Sequence, residues 1–222
     1  MDPPEGSWRF GRRLTPREID TAVRHLSRAD PKLKALIGKV GKLRVHGGLE
    51  PYEALVVSIL FQQLAGSAAE AITIRFKGLF GGSFPTPAQL LQEPDSNLRG
   101  AGLSRRKVEY LKGLSRRVAD GSLDFASLPS KGDEEVISIL DEVKGIGRWT
   151  AQMFLIFPLS RPDVLPAGDL GIRAAVKELY GLDDLPSEDE VGEIASRWHP
   201  YCTVASLYLW RLSELEEGKA GG

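Results

Sequence analysis

The sequence predicts an all-α fold, and three observations carry that prediction. Helix-opening devices recur along the chain: Thr15-Pro16, Asp30-Pro31, Pro51, Thr86-Pro87 and Ser104 each set a capping side chain, or a proline at the first helical position, before a helical run. No stretch alternates apolar and polar residues for long enough to make a strand. At 222 residues and 42% hydrophobic content the chain can bury a full core, in one domain or in two small ones.

The elements follow in order. Thr15 to Ser27 reads as a first helix, and Pro31 opens a second. Gly41 to Gly48 carries three glycines and reads as a loop. Pro51 opens a strongly apolar helix through about Leu64, and Ser67 to Phe80 forms another that Gly81-Gly82 closes. Thr86-Pro87 starts a short helix, and Ser104 caps a long basic one that ends near Gly121. Asp133 to Val143 and Arg148 to Phe157 form a helical pair around Gly145-Ile146-Gly147. Asp169 to Tyr180, Ser187 to Trp198 and Tyr201 to Leu215 complete the set. Residues 1–13 read as a flexible leader and 216–222 as a flexible tail.

Composition excludes several classes. The longest apolar-looking run, Ala54 to Leu60, falls far short of the ~20 residues that span a bilayer. Met1 to Arg13 mixes Pro, Gly, acidic and basic residues with no apolar core, so it does not read as a signal peptide. Cys202 is the sole cysteine, which rules out an internal disulfide and a four-cysteine iron–sulfur cluster. His25, His46 and His199 lie far apart in sequence and share no metal-ligand spacing. A reducing, cytoplasmic setting is expected. The net charge of −1 announces no polyanion partner. Basic residues do cluster at Arg105 to Lys107 and at Arg116-Arg117, which fits either a solvated face or a nucleic-acid contact.

The most informative stretch runs from Leu140 to Ala151. Two apolar helical segments meet at Gly145-Ile146-Gly147, where the glycines permit unusual backbone angles and a close backbone approach. A helix then begins, and the N–H groups of a helix's first turn form a ready anion site. Downstream, Asp169 stands in Leu-Pro-Ala-Gly-Asp-Leu-Gly-Ile-Arg.

This hairpin and its downstream Asp resemble the helix-hairpin-helix-Gly/Pro-Asp superfamily of base-excision DNA glycosylases. Ser58 to Leu64, with Gln62-Gln63, followed by Ala68-Ala69, resembles the Gln-Gln helix of the alkylpurine branch, the 3-methyladenine DNA glycosylase II type. Gly102 to Lys107 and Trp198 to Trp210 resemble that branch's helix-starting segment and C-terminal aromatic helix. The likeness covers about Pro51 to Trp210. It implies a two-lobed helical fold with its active-site cleft between the lobes. Residues 51–131 would form one lobe, and 14–50 with 132–215 the other, carrying both hairpin and Asp169. In lyase-competent branches a Lys stands two residues after the second hairpin Gly; here that position is Trp149, which cannot form a Schiff base. The resemblance therefore implies a monofunctional enzyme, in the compact form that lacks the extra N-terminal sheet domain.

The implied substrate is duplex DNA carrying alkylated purines such as 3-methyladenine or 7-methylguanine. Asp169 would stabilise the sugar cation and orient water, although an Asp at a helix start also reads as a simple cap. Trp149 and Trp210 would wall the base pocket, with Phe154 and Tyr208 as weaker additions that read more readily as core aromatics. Leu64, beside Gln63, would plug the gap left by the flipped base, against the alternative of an ordinary buried leucine. Phosphate contacts would come from Gly145, Gly147, Arg148, Thr150, Arg105 and Lys107. Main-chain carbonyls near Asp141, Val143 and Ile146 would hold a structural Na+ or K+. No organic cofactor, catalytic metal or membrane is implied, and a monomer is expected. Two rivals remain: a glycosylase of the same superfamily for oxidised or deaminated bases, and a non-catalytic hairpin module that only binds DNA.

Overall fold

The computed structural model describes residues 14–43, 49–64 and 66–220, with side chains described to Leu212; the expected leader lies outside them. The first helices are α1 (Pro16–Ala29), α2 (Pro31–Val40), α3 (Pro51–Phe61), α4 (Gly66–Gly78), α5 (Pro87–Gln92) and α6 (Asp95–Gly100). Then follow α7 (Arg105–Ala119), α8 (Asp133–Asp141), α9 (Arg148–Ile156), α10 (Leu170–Tyr180), α11 (Glu188–Ala195) and α12 (Cys202–Ala220). Short 3-10 turns lie at Phe125–Ser130 and Ser196–Trp198. There is no strand among the described residues, and none of their helices is long and apolar enough to cross a membrane.

The capping devices act as the sequence predicts. Thr15 and Thr86 form reciprocal boxes with Glu18 and Gln89, and Ser104 accepts from the Lys107 N–H. Four features depart from expectation. The helix α6 and the turn at Phe125 were not anticipated, because each is too short to show a period. The helix α3 stops at Phe61, three residues early. The last helix continues to Ala220, so most of the stretch 216–222 expected to be a flexible tail is helical.

The chain divides into two compact units. Among the described residues, one holds 49–154, where α3 packs on α4 and α7, and α5 and α6 pack on α7. Leu55, Ile59, Leu60, Phe76, Leu111 and Leu114 lie buried at its centre. The other holds the N-terminal helices and the chain from Leu155, where α12 packs on α1, α2 and α10. Its core gathers Leu26, Leu33, Leu36, Val176, Trp198 and Leu209.

This division corrects the expected domain boundary at Lys131. The hairpin α8–α9 belongs with residues 49–131 and not with Asp169. Its partners explain why: Gln62, Tyr110, Arg117 and Glu109 all engage the segment Glu142 to Gly145.

Candidate active site

Asp169 ends a tight turn that its own N–H closes onto the Pro166 carbonyl at 2.9 Å. Its Oδ1 accepts the Ile172 N–H at 2.8 Å, so it does cap α10. The same oxygen also accepts the Trp210 Nε1–H at 3.0 Å, from the far end of α12's described turns. Two donors thus hold one carboxylate from two helices. Gly171 makes room for this: a Cβ there would lie 3.1 Å from Asp169 Oδ1 and 3.4 Å from the Trp210 ring. The Phe157 ring stacks on Trp210, with centroids 6.2 Å apart and planes 22° apart. Phe157 is exposed, and Asp169 and Trp210 are half-buried. A fixed negative charge beside stacked aromatic faces suits a flat cation.

In the other unit, the hairpin turn is built around Gly145 at φ 93°, where a Cβ would sit 2.2 Å from the Tyr110 ring. Only glycine fits there. Gln62 Nε2 donates to the Gly145 carbonyl at 2.7 Å, and the Ile146 N–H closes onto the Val143 carbonyl at 2.8 Å. Gly147 is exposed at the start of α9. Trp149, in the first turn of α9, is 51% exposed. The predicted phosphate contacts divide here. Thr150 is buried, and the Arg148 guanidinium forms two hydrogen bonds to the Glu134 carboxylate, at 2.9 and 2.6 Å.

The turn after α3 carries Gln63 at φ 56°, a left-handed angle that costs a side-chain-bearing residue strain. It presents Gln63 and Leu64 outward; Leu64 is 38% exposed, so it is no ordinary buried leucine. Gln62, Gln63, Arg106, Lys107, Tyr110 and the hairpin glycines line a cavity of about 400 Å³. Lys107 is half-buried, its Nζ donating to the Leu60 carbonyl at 2.6 Å, and burial lowers its pKa. It therefore also holds the end of α3. Arg105 stays exposed at the start of α7.

Residues 56–200 match the HhH-GPD superfamily of base excision DNA repair proteins. The chain belongs to that family. It is 37% identical to DNA-3-methyladenine glycosylase 1 of Schizosaccharomyces pombe, over 87% of each chain. It also resembles a solved structure of the S. pombe 3-methyladenine DNA glycosylase in complex with abasic DNA, at 37% identity and a TM-score of 0.80. That match covers 87% of this chain and 97% of the other. A DNA-3-methyladenine glycosidase structure from Bacillus halodurans is 39% identical with a TM-score of 0.79, over 86% of this chain and 88% of that one.

Against that HhH-GPD background, two expected pocket residues are corrected. Phe154 is buried and stacks on Phe125, with centroids 5.9 Å apart. Tyr208 is buried in the core of its unit, and its hydroxyl donates to the Gly41 carbonyl at 3.1 Å. Sequence reasoning missed Phe157, Gly171, Gln62's bond to the hairpin and Tyr110. Phe157 lies nearly one helical turn beyond Phe154, and a following proline, Pro158, was the signal that the helix would end there.

Proposed function

We propose that this HhH-GPD protein is a monofunctional DNA glycosylase that hydrolyses the N-glycosylic bond of alkylated purines in duplex DNA, leaving an abasic site. The observation that carries the proposal is the Asp169 carboxylate held by Trp210 beside the Phe157 ring. Relatives named as 3-methyladenine DNA glycosylases support the substrate class.

An alkylated purine is cationic and already a good leaving group, so no strong general acid is required. The deoxyribose gains positive charge as the bond breaks. Asp169, oriented by two N–H donors, stabilises that charge and orients the attacking water. The target base must leave the stack, and Trp210 and Phe157 offer aromatic faces to a cationic base. Leu64 and Gln63, turned outward, fill the space left in the duplex. The backbone at Gly145 and Gly147 contacts phosphate without reading sequence. Trp149 supplies no amine, so no lyase step follows.

The chemistry calls for no cofactor. Main-chain oxygens of Asp141, Val143 and Ile146 are hard donors suited to a Na+ or K+ ion in a structural role. The Val143 carbonyl, bonded once to the Ile146 N–H, keeps a second lone pair for such an ion. The protein is proposed to act as a monomer, in the cytoplasm where DNA is present.

Incubation with single-lesion duplexes, then hot alkali and strand sizing, tests the proposal. Methylated purine duplexes are expected to break only after alkali. Asp169→Asn keeps a capping oxygen yet removes the charge, so base release should fall about 10²–10³-fold while abasic-duplex binding stays within about threefold. Release unaffected by Asp169→Asn, or strand breaks before alkali, would overturn it. Release of oxidised or deaminated bases alone would favour that branch of the superfamily.

A further inference from the structure

Three potential metal donors other than Asp169 converge where the loop after α9 meets the start of α12. His199 Nδ1 lies 2.8 Å from Asp163 Oδ2, and Cys202 Sγ lies 3.6 Å from the same nitrogen. One ligand atom from each residue falls within 4.8 Å of the others. Donors around a tetrahedral zinc are about 3.3–3.8 Å apart, given bonds of about 2.0–2.3 Å. Small side-chain movements would therefore bring all three donors onto one ion.

The frame behind these donors is rigid. The Cys202 N–H donates to Asp163 Oδ1 at 3.1 Å, and the Thr203 N–H donates to the Pro162 carbonyl at 3.1 Å. Thr203 Oγ1 accepts from the Val164 N–H at 3.0 Å and donates to the Arg161 carbonyl at 2.6 Å. Those four bonds fix loop 161–164 against the first turn of α12. Cys202 is buried, whereas the His199 side chain is 54% exposed and the Asp163 side chain 31% exposed, so an ion can enter from the imidazole side.

We propose that Asp163, His199 and Cys202 bind one Zn2+, with water in the fourth position, and that the ion staples loop 161–164 to α12. One thiolate, one imidazole and one carboxylate form a donor set suited to this borderline-soft ion. The balance is simple. Zinc–sulfur, zinc–nitrogen and zinc–oxygen bonds form, the thiol proton passes to solvent, and any proton on Nδ1 passes to Nε2 or to solvent. No electrons are exchanged. Two anionic donors offset the cost of placing a cation near the positive end of α12.

The test uses the untagged full chain, stripped with a chelator and titrated with Zn2+ by calorimetry, and with Co2+ by absorption spectroscopy. One ion per chain is expected, with a thiolate-to-cobalt charge-transfer band. Cys202→Ser should abolish the band, and both Cys202→Ser and His199→Gln should weaken Zn2+ binding at least tenfold. Circular dichroism checks that each variant is folded, and exposed His199 tolerates substitution even if buried Cys202 does not. Zinc should raise the melting temperature of the wild type but not of the variants. Less than one ion per chain, or wild-type affinity in either folded variant, overturns the proposal. Neither result depends on base release.

Discussion

Asp169 Oδ1 is held by an amide and an indole at once, and the two bonds have separable consequences. Losing the amide bond would fray α10, whereas losing the indole bond frees the carboxylate to rotate. Trp210→Phe keeps an aromatic face but deletes the Nε1–H, a charge-assisted bond of about 1.5 kcal/mol or more. A fall of about tenfold in kcat, with KM changed less than threefold, is expected in steady-state base release. An equal fall in apparent substrate affinity would show that Trp210 serves stacking alone. Gly171→Ala forces a contact on the same pair and should slow release severalfold, with less than about 1 kcal/mol of stability lost. Asp169 and Trp210 were legible in the sequence, through their positions in a resembled motif. Phe157 was not, because composition cannot say that Phe154 stays in the core while Phe157, just past the end of α9, turns outward.

At the scale of elements, the two hairpin glycines differ. Gly145 has a left-handed φ and the Tyr110 ring against it; Gly147 has nothing within 4 Å of where a Cβ would stand. Gly145→Ala should cost at least about 2 kcal/mol in chemical denaturation, from strain and overlap. Gly147→Ala should change stability by less than about 0.5 kcal/mol yet weaken binding to an abasic duplex, if the backbone approaches phosphate there. Helix starts were legible because capping is local chemistry: a hydroxyl or carboxylate and the N–H groups two or three residues on. The unit to which the hairpin belongs was not. It is set by Gln62 reaching Gly145 and by Arg117 reaching Glu142, pairings distant in sequence and invisible to any local pattern.

At the scale of the whole molecule, Asp30 joins several elements with one carboxylate. Buried between α1 and α2, it accepts from the Lys32 and Leu33 N–H groups, from Trp198 Nε1 at 3.0 Å and from the Tyr180 hydroxyl. Burial alone would raise its pKa, but these hydrogen bonds outweigh it and hold the carboxyl below its ordinary 3.8. A lowered folded pKa means the stabilisation is complete above the unfolded value and is lost as pH falls through the folded one. Asp30→Ala should therefore cost about 3 kcal/mol in urea denaturation near neutral pH. The variant's stability should also fall less steeply than the wild type's below about pH 4. An unchanged acid profile would mean that another carboxylate governs unfolding there. The proline after Asp30 marked it as a cap; its two aromatic donors, from α10 and the turn before α12, had no sequence signal.

The Arg148–Glu134 pair sits in water, with side chains 58% and 74% exposed, so holding it together contributes little energy. Where Arg148 is proposed to meet a phosphate, the Glu134 carboxylate would compete for the same guanidinium. Glu134→Gln would remove that carboxylate's charge. Its affinity for any duplex should rise a fewfold, and a log–log plot of binding against salt should steepen by about one unit. On that proposal, Glu134 would lower retention on undamaged DNA.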